Sequence, residues 1–136
     1  MNAGPATIAI HVLLVEDHSR LRKILQLALE TDGFQVTAAE SADEAVALLE
    51  NGVTVDILLS DIRMPGSIDG LQLARWTRDH RAEVAILLQT GFSNMDTEDF
   101  PLLRKPYPPE ELSARLRAIV ADLGFDREER CRRPPS

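Results

Sequence analysis

"LLSDIRMPG", Leu58–Gly66, carries an apolar run straight into an aspartate and then breaks at Pro65-Gly66. The leucines favour burial and the Pro-Gly pair interrupts the chain, so Asp61 stands at the end of a buried strand. A strand of this kind has no packing reason to finish on a carboxylate. The reading of the whole chain turns on what that carboxylate is for.

Working outward, VDILLS (Val55–Ser60) completes this strand, and four similar runs surround it. IAIHVLLV (Ile8–Val15) is β-branched and apolar enough to be buried on both faces. FQVTAA (Phe34–Ala39), VAILLQ (Val84–Gln89) and PLLR (Pro101–Arg104) are the others, the last with proline at its first position, where a strand tolerates it. Between the strands the period changes. Leu21, Ile24, Leu25, Ala28 and Leu29 recur at helical spacing up to Gly33. Ser41-x-x-Glu44 has the form of a capping box ahead of Ala42, Ala45, Val46 and Leu49. Asp69 can cap a helix carrying Leu71, Leu73, Ala74 and Trp76. Pro108 and Pro109 with Glu110 and Glu111 open a last helix, with Leu112, Leu116, Ile119, Val120 and Leu123 on its buried side.

Strands alternating with helices imply an α/β fold, a parallel sheet covered on both faces by right-handed crossovers. The carboxyl ends of its strands form the working edge. The first strand ends in Glu16-Asp17, the third in Asp61, the fourth in Thr90 and the fifth in Lys105. Three carboxylates at one place repel one another by about 4 kcal/mol per pair at 4 Å and an effective dielectric of 20. A divalent cation offsets this, and oxygen ligands with room for water suit Mg²⁺. Lys105 adds a positive charge and Thr90 a hydroxyl donor. Together these groups form a cradle for a phosphoryl group with Asp61 as nucleophile.

LLVED (Leu13–Asp17), LLSDIRMPG with Asp69-Gly70, Gln89-Thr90-Gly91 and Leu103-Arg104-Lys105-Pro106-Tyr107, in this order, resemble the receiver domains of two-component response regulators. The resemblance runs from Ile10 to Leu123. It implies the flavodoxin-like, doubly wound five-stranded sheet in the order 2-1-3-4-5. It makes Asp61 the phosphoacceptor, Thr90 the switch hydroxyl and Lys105 the phosphate-contacting lysine. Glu16, Asp17, Asp61 and the backbone carbonyl of Arg63 become the Mg²⁺ ligands, and the Lys105-Pro106 peptide is expected to be cis. The implied partners are a sensor or hybrid histidine kinase or a histidine phosphotransfer protein, with a homodimer open.

Two features depart from the family. Only GFSNMDTEDF separates Thr90 from Pro101, too few residues for a full crossover helix, so the fourth helix is expected to be shortened or missing. That puts the family's common output face in doubt. The family's aromatic switch position holds Leu102; Phe100, on the same strand parity, and Phe92 are the candidates to replace it.

The 136 residues, 44% of them hydrophobic, suit one domain, expected over 8–124 with a disordered basic tail over 125–136. A formal charge of −7 argues against broad binding to nucleic acid or an anionic membrane. No signal peptide or membrane span is visible, so a cytoplasmic protein is expected. The lone Cys131 permits no intramolecular disulfide. The chain starts with methionine and ends without an output domain. The expectation is therefore a single-domain regulator, not an enzyme, that acts through protein contacts in a phosphorelay; a receiver excised from a hybrid kinase is an alternative.

Rival readings meet specific obstacles. An aspartate-nucleophile phosphatase needs a second acid at position 63, which is arginine. A flavodoxin needs a phosphate-cradling loop where VEDHSR is acidic. A pseudo-receiver that binds without being phosphorylated is the strongest competitor. His11 and His18 lack metal-ligand spacing, so no zinc is assigned.

Overall fold

The computed structural model describes residues 9–91, 97 and 100–132, with residues from 123 onward described by backbone alone. Among them the elements run β1 His11–Val15, α1 Ser19–Thr31, β2 Gln35–Ala39, α2 Ala42–Glu50, β3 Ile57–Asp61, α3 Gly70–His80, β4 Ala85–Thr90, β5 Leu102–Arg104 and α4 Pro109–Arg132. The five strands form one sheet in the order β2-β1-β3-β4-β5, and every pairing is parallel. This is the doubly wound architecture expected from the sequence.

Alternation along the strands sorts the apolar side chains into two cores. Leu13, Val15, Leu58, Ile86 and Leu88 face α2 and α3, meeting Ala45, Leu49, Leu73 and Ala74. Val12, Leu14, Ile57, Leu59 and Leu87 face α1 and α4, meeting Leu29, Leu103, Leu112 and Leu116. Both cores press on β3, which is buried from end to end.

The helices start where their caps dictate. Asp69 accepts from Gln72 N at 2.8 Å while the Gln72 side chain accepts from Asp69 N at 2.9 Å, a reciprocal capping box at α3. At α2, Ser41 Oγ accepts from Glu44 N at 3.0 Å. Gly33 closes α1 with a φ of 97°, a left-handed conformation costly for any residue with a Cβ.

Some boundaries differ from expectation. β1 begins at His11, and Ile8 lies outside the described residues. The expectation of a shortened or missing fourth helix falls on residues 92–96 and 98–99, which lie outside the described residues. Phe92 falls outside them, whereas Phe100 and Leu102 pack, half-buried, on the α2–α3 core. The backbone of α4 runs on to Arg132, beyond the expected domain end at 124; Glu and Arg in that stretch are compatible with helix. Residues 133–136 lie outside the described residues. The apolar face of α1 is covered only in part: Leu29 is buried, but Ile24 is 57% exposed. It lines a groove of about 460 Å³ against α4.

Candidate functional site

The carboxyl edge of the sheet gathers the acids named from the sequence. Ligand atoms of Glu16, Asp17 and Asp61 all lie within 4.8 Å of one another. Glu16 follows β1 and is held there by three contacts. Its N–H donates to Ala39 O at 3.1 Å, its Oε2 accepts from His18 N at 3.1 Å, and its carbonyl accepts from Arg22 Nη1 at 2.8 Å. Asp17, one residue on, points to solvent. His18 serves as the N-cap of α1, its Nδ1 accepting from Leu21 N, and the His11 ring is satisfied by Thr37 Oγ1 at 2.7 Å. Both histidines thus have structural partners.

Asp61 closes β3 and is 7% exposed. Its backbone is fixed closely from behind, where Gly70 brings the start of α3 against it. A Cβ on residue 70 would lie 1.8 Å from Asp61 O, and Gly70 N donates to Ile62 O at 2.7 Å. From the other side Lys105 reaches in, its Nζ 2.7 Å from Asp61 Oδ1 and 3.6 Å from Glu16 Oε1. Thr90, at the end of β4, is buried, and its carbonyl accepts from Lys105 N at 2.8 Å. The Lys105-Pro106 peptide is cis. Arg63 lies two residues past Asp61 at the exposed start of the β3–α3 loop.

The electrostatics show a site with more negative charge than its own partners offset. Burial first, and then hydrogen bonding to Asp61, push the Glu16 carboxyl up from the ordinary 4.5 to about 6. Its Oε1 is buried without a hydrogen-bond partner among the described residues. An all-oxygen donor set, one atom of it buried without a hydrogen bond and one ligand exposed to solvent, fits Mg²⁺, which keeps part of its water shell.

Sequence reasoning misses four residues around this edge. Gly70 was read only as part of a motif, and the need for a bare Cα there shows only once α3 is packed on Asp61. Arg22 sits one turn into α1 with no local pattern to mark it. Gln89 and Tyr107 share no sequence pattern that pairs them, yet the Tyr107 hydroxyl donates to Gln89 Oε1. The Tyr107 phenol is pushed above its ordinary range, first by burial and then by the charges of Asp61 and Glu16.

Residues 12–117 match the family described as "Response regulator receiver domain". The transcriptional regulatory protein ResD of Bacillus subtilis is 33% identical over 119 residues, covering 80% of this chain and 47% of that protein. CpxR of Escherichia coli K12 is 36% identical over 119 residues, covering 80% of this chain and 48% of CpxR. The chain thus spans about half the length of the curated relatives it matches. Among solved structures, the response regulator TrrA of Thermotoga maritima, in complex with Mg²⁺-BeF, superposes with a TM-score of 0.73 at 27% identity, over 81% of this chain and 98% of that one. A receiver domain protein from Methanospirillum hungatei gives a TM-score of 0.79 at 20% identity, over 88% of this chain and 99% of that one, a likeness of fold.

Proposed function

The chain belongs to the response regulator receiver domains, and on that premise we propose that Asp61 accepts a phosphoryl group from a phosphohistidine of a histidine kinase or phosphotransfer protein. The observation that carries the reading is the meeting of three carboxylates within 4.8 Å with Lys105 Nζ 2.7 Å from Asp61.

In this reading an Asp61 carboxylate oxygen attacks phosphorus. The new P–O bond forms as the P–N bond to the donor imidazole breaks, and the imidazole leaves with the bonding pair. Lys105 contacts the phosphoryl oxygens as negative charge moves onto them, and Thr90 donates its hydroxyl to the same group. Glu16, Asp17, Asp61 and the Arg63 carbonyl would hold Mg²⁺. When bound, the ion offsets the charge of the carboxylates and the phosphoryl oxygens. Water attack on the acyl phosphate returns Asp61 to its free form. The protein is thus a phosphoacceptor that assists its own modification and its reversal.

The output is read as protein contact, in keeping with the net charge of −7. Ile24 on α1, 57% accessible, lines with Leu21 and Leu25 a groove that reaches Lys105 and gives a phosphodonor apolar surface beside the site. A cytoplasmic regulator completes the proposal.

The test is incubation with acetyl phosphate and Mg²⁺ followed by intact mass measurement. Wild type should gain one phosphoryl group and Asp61→Asn none. Mg²⁺ binding without an adduct on either protein would sink the proposal in favour of a binding module that is not phosphorylated.

A further inference from the structure

Lys105, in the short turn between β5 and α4, reaches the acids with its side chain, and two anchors on β4 hold that turn. Its own N–H donates to Thr90 O at 2.8 Å. Two residues later the Tyr107 hydroxyl donates to Gln89 Oε1. Gln89 is fully buried and stands level with Asp61 in the β3–β4 register, and its carbonyl accepts from Ile62 N at 3.1 Å. One residue therefore grips the phosphoacceptor's strand through its backbone and the lysine's turn through its side chain.

The chemistry of the pair sets it apart from packing. Gln89 follows Ala85 and Leu87 on its sheet face, at the level of the buried Asp61 on β3. A leucine there would pack without an unmet polar group, whereas Gln89 Nε2 is buried with no partner among the described residues. Burying that donor is costly and has no return in packing. What the side chain does provide is a fixed acceptor for Tyr107.

We infer that Gln89 and Tyr107 are positioning residues that set Lys105 Nζ against Asp61 for phosphoryl transfer. The inference rests on Asp61 being phosphorylated, as proposed above. Tyr107→Phe removes one hydroxyl and keeps the ring in the groove, and Gln89→Leu removes the acceptor from the other side. Each should slow adduct formation from acetyl phosphate by about fivefold, the effect of one hydrogen bond.

A structural role would slow any variant alike, so the deciding measurement is a double-mutant cycle. If Tyr107 acts through Lys105, the Lys105→Met/Tyr107→Phe variant reacts no more slowly than Lys105→Met alone. A further fivefold loss in the double variant, or wild-type rates for Tyr107→Phe and Gln89→Leu, would overturn the inference. Absence of adduct on wild type would instead overturn the underlying reading of Asp61. The Gln89→Leu/Tyr107→Phe variant, in which both polar partners are apolar, keeps the test open should either single variant fail to fold.

Discussion

Gly70→Ala should be among the most damaging single-methyl changes in the molecule. The new Cβ would meet Asp61 O at 1.8 Å, Asp61 C at 2.7 Å and Ile62 Cα at 2.9 Å, all of them backbone atoms. Ordinary contact begins near 3.4 Å, so α3 must retreat from β3 by more than an ångström. Overpacking against atoms that cannot rotate away costs about 3 kcal/mol, the upper part of its usual range. Loss of the 2.7 Å bond from Gly70 N to Ile62 O adds about 1 kcal/mol. The higher helix propensity of alanine returns at most ~1 kcal/mol. The net loss is about 3 kcal/mol, a large fraction of the ~5–15 kcal/mol typical of a domain. In urea, with a slope near 2 kcal/mol/M, the midpoint should fall by about 1.5 M with the slope unchanged. Gly91→Ala is the control, since a Cβ there meets nothing within 4 Å. A Gly70→Ala midpoint matching that of Gly91→Ala would refute the claim that α3 abuts the Asp61 peptide.

Three further outcomes are expected. Without metal, Glu16 titrates near 6 in the folded chain rather than at the ordinary 4.5. Because the folded pKa is raised, this group's contribution is fully present below pH 4.5 and is lost as pH rises through 6. The loss is about 2 kcal/mol, and unfolding midpoints with EDTA should show it while saturating Mg²⁺ removes it. Arg81→Ala should cost about 1–2 kcal/mol in urea unfolding, because Nη1 and Nη2 cap Leu49 O at 2.9 Å and Val53 O at 3.2 Å beyond the end of α2. Arg117→Ala should lower the thermal midpoint, since its guanidinium lies 4.6 Å over Phe34 and pairs with Asp32 at 3.0 Å. Ser113 and then Arg117 hold the Asp32 carboxyl below its ordinary value, so this contact is present above that value and weakens as the solution is acidified. The gap between the wild-type and variant melting curves should therefore narrow at low pH without closing, because the Phe34 contact and the Nη2 bond to Asp32 O at 2.6 Å do not titrate.

The parallel sheet was legible because each strand ended on a change of period and a turn signal, with helices alternating between strands; its order, 2-1-3-4-5, was implied by the resemblance to receiver domains. The acids were legible for a similar reason: Glu16, Asp17 and Asp61 directly follow runs with no other use for a charge. What could not be read were relations between distant positions. Nothing local to Arg117 distinguishes an exposed helix arginine from one that staples α4 to the turn at Asp32. The α1 stripe predicts a buried face, but how much of it α4 covers depends on the placement of a helix some ninety residues later. Gly70 looks like an ordinary residue at a helix start until the distance to Asp61 is known.

The burial of β3 along its whole length has a bearing on where motion can occur. Its amides, flanked by β1 and β4 and shut in by both cores, should be among the last to exchange with deuterium, opening only with the whole domain. Asp61 is thus mounted on the stiffest bar of the protein. A chemical change there cannot be relayed by bending the strand that bears it. It has to travel through what the carboxylate touches, so slow exchange on β3 in both states, with altered exchange around Lys105 and Tyr107, would be the signature of a stator with its rotor at the neighbouring strand ends.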